Sequence, residues 1–149
     1  SLLDSINYQA KYIKLNSVLI NGSVQNHIYL TQKNHSLSLQ IEGELSVAQY
    51  MAVEFQLYDC NKIPLAFYSP SHYSGIIPYY DKGHFMLETI IELPESMNKG
   101  NYFGSIFITY PNVVYHLQML FSLQIEYEGI AMKTGHSFDC KNKGFLFLK

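Results

Sequence analysis

The stretch Lys99-Gly-Asn-Tyr-Phe-Gly-Ser-Ile-Phe-Ile-Thr109 decides the fold. The alternation after its Lys-Gly turn predicts a β-strand, one face of which carries Tyr102, Gly104, Ile106 and Ile108. A polar stretch after Leu93-Pro94 precedes this strand, and a long second strand, a loop and the run Gly144-Phe-Leu-Phe-Leu148 follow it. This order is typical of the second half of a β-sandwich domain.

Period-two alternation extends over most of the chain, and helical periodicity is nearly absent. The pattern predicts an all-β, antiparallel β-sandwich of about eight to nine strands and almost no helix. The longest irregular segment of the first half spans residues 69–83. The strands are predicted over residues 11–20, 27–30, 36–46, 51–58, 63–68, 84–93, 101–110, 113–127 and 144–149.

A single domain is predicted over residues 11–149, because 149 residues is the size of one ordinary domain. Residues 1–10 are weakly patterned and are expected to form a frayed linker end or a short helical turn. No apolar run approaches the length of a membrane span, and no signal peptide is visible near the start. The inward phase of the alternation predicts a core of Leu39, Ile41, Val53, Phe55, Leu57, Leu87, Ile91, Ile106, Ile108, Phe121 and Leu123.

The composition excludes several function classes. With 48% hydrophobic and 15% charged residues, the chain is too apolar to be disordered. All ten basic residues are lysines and they do not cluster, which argues against a nucleic-acid partner. Cys60 and Cys140 are the only cysteines and are expected to be free thiols, although one disulfide would also be possible.

The sequence gives little support for catalysis or for a metal. It contains no nucleophile elbow, P-loop or dinucleotide-binding turn. Glu42, Glu44 and Glu54 could be neighbours, as glycoside hydrolysis would need, but they are more simply explained as solvated strand residues. His136 and Cys140 are close in sequence, yet a structural zinc site needs four ligands. We therefore expect a chain that is not an enzyme, with no cofactor and no metal.

The polar faces of the predicted strands and one loop are the candidate ligand site. Amides, carboxylates and phenols can bind sugar hydroxyls, and tyrosines can stack on sugar rings. We predict binding of a neutral or weakly charged oligosaccharide, because no arginine is present for a strongly anionic glycan. The simpler alternative is a solvated sheet face with a tyrosine-rich loop packed at its edge. The predicted face residues are Gln40, Glu54, Gln56, Tyr58, Gln118 and Gln124, and the loop residues are His72, Tyr73, Tyr79 and Tyr80.

The ordered set of motifs resembles a known family over about residues 10–149. The resemblance rests on the strand order, Asp59 in a hairpin turn, the segment from Leu93 to Gly100-x-Tyr102, and the closing Gly144-Phe-Leu. It is to the C-terminal domain of Wzt-type proteins, the ATP-binding subunits of ABC transporters that export O-antigen and related polysaccharides. The chain departs from that pattern at Lys62, where the hairpin turn has glycine, and it lacks a tryptophan in the closing strand.

The resemblance implies a jelly-roll or immunoglobulin-like sandwich that binds the exported polysaccharide and forms a homodimer. It also implies a cytoplasmic location, peripheral to the inner membrane, and attachment to the transporter's membrane subunit through an ATPase domain absent from this chain. No binding residue can be carried over, since these vary with the glycan. We expect dimerisation by exchange of the last strand, residues 144–149. The alternatives are a structural or adhesive module of an exported protein and, last, a small glycan-acting enzyme.

Overall fold

The structure is a computed structural model that describes residues 1–5, 7–8, 11–31, 34–109, 115–126, 134 and 138–149. Parts of the predicted 113–127 strand and of the following loop, including His136, lie outside the described residues. The strands are β1 (Asn7–Tyr8), β2 (Ile13–Ile20), β3 (His27–Leu30), β4 (Ser36–Leu45), β5 (Gln49–Tyr50), β6 (Ala52–Tyr58), β7 (Pro64–Tyr68), β8 (Tyr79–Tyr80), β9 (Gly83–Glu92), β10 (Gly100–Thr109) and β11 (Tyr115–Ile125).

The strands form two main sheets, and the predicted all-β sandwich is confirmed. The six-stranded sheet has the order β1-β11-β10-β6-β7, with β3 also paired to β11. The three-stranded sheet has the order β2-β4-β9, and β5 and β8 form a small separate pair. All pairs are antiparallel except β3 with β11. The strand count exceeds the prediction because β1, β5 and β8 have two residues each, too few for alternation to reveal.

The core lies between the two main sheets. Every residue of the predicted core is at most 9% exposed, so the inward phase of each strand was assigned correctly. The N-terminal segment also contributes: the side chain of Leu2 is fully buried, and its backbone N–H donates to the Val24 carbonyl at 2.8 Å. Leu3–Ser5 forms a short 3-10 turn beside it.

Two short α-helices interrupt the β structure in the part of the chain that the structure describes, where the sequence predicted almost no helix. The helix α1 (Pro70–Ser74) lies in the segment predicted to be irregular. The Ser69 side chain caps its first turn by accepting from the His72 N–H, and Gly75 ends it with φ 75°. Serine, proline at the first position and glycine after the last turn are the usual helix boundary signals. Both α-helices of the described residues are far too short to span a bilayer.

The predicted closing strand over residues 144–149 is wrong. The helix α2 (Cys140–Lys143) ends at Gly144, and only Leu146 forms an isolated bridge, with Met97. Two backbone bonds flank it, from the Asn98 N–H to the Phe145 carbonyl and from the Phe147 N–H to the Ser96 carbonyl. In the run Phe-Leu-Phe-Leu no polar residue alternates with the apolar ones, as it would in a strand with one face in water. The run also pairs with a loop rather than with a strand, so no ladder extends from the bridge.

The rings of Phe55 and Phe121 stack at the centre of the core, with their centroids 6.0 Å apart. Phe121 is accommodated by Gly104 on the adjacent strand, where a Cβ would lie only 2.4 Å from its Cζ. The absence of a Cβ at Gly104 therefore leaves room for the Phe121 ring, which an alanine would force to move.

We expect Phe121→Ala to lower the free energy of unfolding by about 3–5 kcal/mol, from lost burial and the cavity left behind. Urea denaturation monitored by circular dichroism measures this change. A loss below about 1 kcal/mol would contradict the assignment of Phe121 to the core centre.

The matched control is Gly104→Ala, measured alone and together with Phe121→Ala. Alone, the added methyl should cost about 1–3 kcal/mol because it overpacks the contact. In the Phe121→Ala background the methyl should be tolerated, since the ring that it would meet is gone. If Gly104→Ala lowers the free energy of unfolding equally in the unchanged chain and in Phe121→Ala, then contact with the Phe121 ring does not determine which side chain position 104 tolerates.

Candidate functional site

The outer face of the six-stranded sheet holds five of the ten predicted ligand residues. β10 lies between β6 and β11, and its outward residues therefore form rows with theirs. The rows are Tyr58 with Phe103 and Ser122, Gln56 with Ser105 and Leu120, and Glu54 with Phe107 and Gln118. Gln124 lies one row further along, opposite Asn101.

An open groove of about 470 Å³ lies on this face. We call it the sheet groove. Half-buried Tyr58 and Phe103 lie side by side in it, and Leu120 is 51% exposed. An apolar surface interspersed with a few polar groups is the usual composition of a small-molecule site. The groove is lined by Asn26, Tyr58, Lys62, Phe103, Leu120, Phe121 and Ser122.

The turn between β6 and β7 places a cation over the groove. The Lys62 ammonium nitrogen lies 5.3 Å from the centroid of the Phe103 ring. Asp59 fixes this turn, because its Oδ1 accepts hydrogen bonds from the N–H groups of Asn61 and Ile63 at 2.8 and 2.9 Å. The hairpin turn expected at Asp59 is thereby confirmed.

β3 forms one margin of the groove. The Nδ1 atom of His27 is hydrogen-bonded to the Ser122 hydroxyl. Tyr29 is 61% exposed and packs edge-on against His27, with ring centroids 4.5 Å apart. The Gln124 amide donates to the Glu126 carboxylate, so it lies at this margin with one donor already used.

Three predicted face residues are instead engaged within the fold. Glu54 is only 7% exposed, and its carboxylate lies 3.7 Å from Nε2 of His72 on α1. The Gln118 amide donates to the fully buried Ser105 hydroxyl at 3.3 Å. The Gln56 amide donates to the Ala66 carbonyl on β7 at 2.7 Å. These bonds hold β7, α1 and β11 in place.

Gln40 does not lie with the other predicted residues. It belongs to β4, on the outer face of the three-stranded sheet, where its amide donates to the Glu88 carboxylate at 3.1 Å. A separate shallow depression of about 390 Å³ covers this area. Alternation assigned Gln40 to an outer face correctly, but it could not tell which of the two sheets carried it.

The predicted loop tyrosines do not line the sheet groove. Tyr73 is 96% exposed, and Tyr79 is 56% exposed and packs edge-on against Tyr50 at 5.1 Å. Tyr80 packs against Phe85 with centroids 6.2 Å apart, and burial raises the pKa of its phenol. Because β6 rises about 3.3 Å per residue, Glu54, which lies near His72 of this loop, is about 13 Å along the strand from Tyr58 in the groove.

Sequence reasoning missed the two outward-facing apolar residues of the groove, Phe103 and Leu120; Phe121, which also lines it, was predicted as a core residue. Phe103 and Leu120 both point outward on strands whose other outward residues are mostly polar. This exception to the alternation could have identified them as surface residues of a site. Asn26 and Lys62 carried no such signal, because turn residues approach a sheet face only through the tertiary fold.

A second cavity, of about 210 Å³, lies under the same β6–β7 turn and is lined by both cysteines. Cys60 and Cys140 are free thiols, as expected. Cys140 packs over Gly100, where a Cβ would lie 2.4 Å from its sulfur. Burial raises the pKa of the Cys140 thiol above its ordinary value.

Comparisons with known proteins support the fold. No protein-family model and no curated protein matches the chain. Among solved structures, it is similar to the C-terminal domain of Wzt, with a TM-score of 0.59, 10% identity and coverage of 97% of this chain and 81% of that one. It is also similar to a Niemann-Pick type C2 protein from the Japanese carpenter ant, with a TM-score of 0.55, 9% identity and coverage of 78% and 94%. At these identities, the likenesses show a shared β-sandwich fold.

We expect Cys140 to be alkylated more slowly than an ordinary cysteine at pH 7.5. A raised pKa leaves less of the reactive thiolate at that pH, and burial restricts access to the sulfur. Iodoacetamide labelling of a Cys60→Ser variant, followed by mass spectrometry, measures the rate for Cys140 alone. A rate equal to that of glutathione at the same pH would contradict this description of the cavity.

Proposed function

We propose that this chain is a non-catalytic carbohydrate-binding domain that recognises an O-antigen-type polysaccharide for an ABC exporter. The observation that carries the proposal is the sheet groove, in which two aromatic side chains lie beside amide and hydroxyl groups on an open face. Sugars present apolar ring faces and many hydroxyls, so such a surface matches both.

The fold supports this proposal without deciding the ligand. The likeness to the C-terminal domain of Wzt covers nearly the whole chain, and the sequence motifs resemble the same family. From that resemblance we further propose an ATPase domain in the same assembly, a membrane subunit as its partner, and a location on the cytoplasmic side of the inner membrane.

The groove sets the expected strength of binding. It is open, and each hydrogen bond to a sugar replaces one to water, so each contributes only about 1 kcal/mol. We therefore expect dissociation constants roughly in the micromolar to millimolar range for a short oligosaccharide. Repeated units of a long chain would raise the apparent affinity through rebinding, especially in a dimer.

We expect Tyr58→Ala and Phe103→Ala each to weaken polysaccharide binding about fivefold or more, since both remove part of the stacking surface. The measurement is a glycan array with O-antigen-type polysaccharides, followed by calorimetric titration of the best ligand. Tyr79→Ala tests in the same assay whether the distant loop also contacts long ligands.

The matched control is Ile90→Ala, which removes a 61%-exposed side chain from the outer face of the three-stranded sheet. It should bind as the unchanged chain does. Melting temperatures accompany every variant, so that lost binding is separated from unfolding. Wild-type binding by both groove variants would place the site elsewhere, and no binding to any glycan would refute the proposal.

We also propose a homodimer formed by exchange of the C-terminal segment, residues 144–149. Within one chain this segment pairs with Ser96–Asn98 through a single bridge, two flanking backbone hydrogen bonds and a bond from the Asn98 amide to the Gly144 carbonyl. The same contacts can form between two chains without new surfaces, which is how exchanged elements dimerise.

Light scattering should show a dimer for the full chain and a monomer for a chain ending at Lys143. Circular dichroism must show that the shortened chain remains folded, because Phe145 packs against Tyr102 with centroids 6.4 Å apart. A monomeric full chain, or a folded shortened chain that still dimerises, would refute segment exchange.

A further inference from the structure

We infer that Lys62 makes the sheet groove selective for a glycan that carries one anionic substituent, a carboxylate or a phosphate ester, on the bound sugar. This inference rests on the proposed function and adds the charge of the ligand to it. It depends on three features of Lys62: its backbone conformation, its lack of a carboxylate partner, and its position over the groove.

The backbone conformation of Lys62 is unusual. Its φ is +62°, in the left-handed region, and Asn21 is the only other non-glycine residue with positive φ in the described parts of the chain. Glycine adopts this conformation without steric cost, whereas a side chain with a Cβ is strained there. Strained residues held by their surroundings are concentrated at functional sites.

The surrounding turn holds this conformation firmly. The Lys62 N–H donates to the Asp59 carbonyl at 3.0 Å, and the Asp59 N–H donates to the Ile63 carbonyl at 3.0 Å. Together with the two bonds that the Asp59 carboxylate accepts from backbone amides, they fix the direction in which Lys62 leaves the turn. The Lys62 side chain leaves the turn on the groove side, and its ammonium nitrogen lies 5.3 Å from the Phe103 centroid.

The charge of Lys62 is available to a ligand. No carboxylate in the described residues forms an ion pair with it. The nearest acid in sequence, Asp59, uses Oδ1 on backbone amides. Among the groove-lining residues that the structure describes, Lys62 alone carries a charge.

The groove chemistry fits a sugar with one acidic group. A sugar ring seated on Tyr58, which lies beside Phe103, would bring an acidic substituent next to the Lys62 ammonium, which lies 5.3 Å from the Phe103 centroid. Lysine binds carboxylate and phosphate oxygens as a point charge, without the bidentate geometry of arginine. Asn26 offers its side-chain amide to the sugar hydroxyls, whereas the Ser122 hydroxyl is already bonded to His27. Specificity for the sugar and for its charge would thus come from different residues.

The test uses two matched pairs of probes: tri-galacturonic acid with its uncharged methyl ester, and glucose 1-phosphate with glucose. Calorimetric titration should show that the unchanged chain prefers an acidic member about three- to tenfold, as expected for a partly exposed ion pair. Which pair shows the preference distinguishes a carboxylate from a phosphate ester. The preference should shrink as salt is raised, because exposed charges are screened.

Lys62→Met keeps the stem and the strained backbone but removes the charge, so the acidic-to-neutral ratio should fall to about one. Lys62→Arg should retain the preference. Lys14→Met removes an exposed lysine from β2 on the other sheet and should also retain it. Lys62→Gly should lose the preference while melting no lower than the unchanged chain, because glycine relieves the strain.

The outcomes separate this inference from the proposed function. Binding of both members of a pair with equal affinity would overturn the charge selectivity and leave sugar binding standing. A preference that survives in Lys62→Met would overturn the role of Lys62. Equal binding of inorganic phosphate and glucose 1-phosphate would show an anion site without a sugar, which overturns the inference as stated. Absence of binding to any probe or polysaccharide would overturn both.

Discussion

The structure depends on the position of β10 in the middle of the six-stranded sheet. Its backbone forms ladders with β11 on one side and β6 on the other. The inward residues of β10 therefore contact the core, while its outward residues align those of both neighbours into rows. A shift of this register by one residue would exchange the two faces, which would bury the polar rows and expose the apolar ones. Both the groove and the core therefore depend on the register in which β10 pairs with β6 and β11.

Gly104 shows how closely the two faces are linked. Its missing side chain admits the Phe121 ring on the inner face, and Phe121 then stacks on Phe55 from β6. That contact fixes the distance among three strands. On the outer face, the next rows hold Tyr58, Phe103 and Leu120 in place without any loop to support them. A site built on packed strands is more rigid than one built on loops, so little ordering is required when a ligand binds.

The polar residues of the outer face divide into two groups with different roles. Gln56 donates to β7, Gln118 donates to Ser105 on β10, and the Glu54 carboxylate lies 3.7 Å from His72 of α1, so all three are engaged within the fold. Tyr58, Phe103 and Leu120 keep accessible surface in the groove, and the charge over them comes from Lys62 in a turn with left-handed backbone. Glycine would adopt this left-handed backbone with less strain than lysine does. The surrounding turn nevertheless holds a lysine there, and so sets the side from which its charge approaches the groove.

The sequence predicted the fold class, the inward phase of each long strand and the turn at Asp59, because these follow from alternation and local hydrogen bonding. It could not place α1, whose five residues are too few for helical periodicity, or the C-terminal segment, whose apolar run has no polar phase. Only the tertiary structure decided that Gln40 lies on one sheet and Tyr58 on the other, and that Asn26, Lys62, Phe103 and Leu120 share one groove. Those residues come from separate parts of the chain, and alternation gives the face of a strand but not the identity of its neighbours.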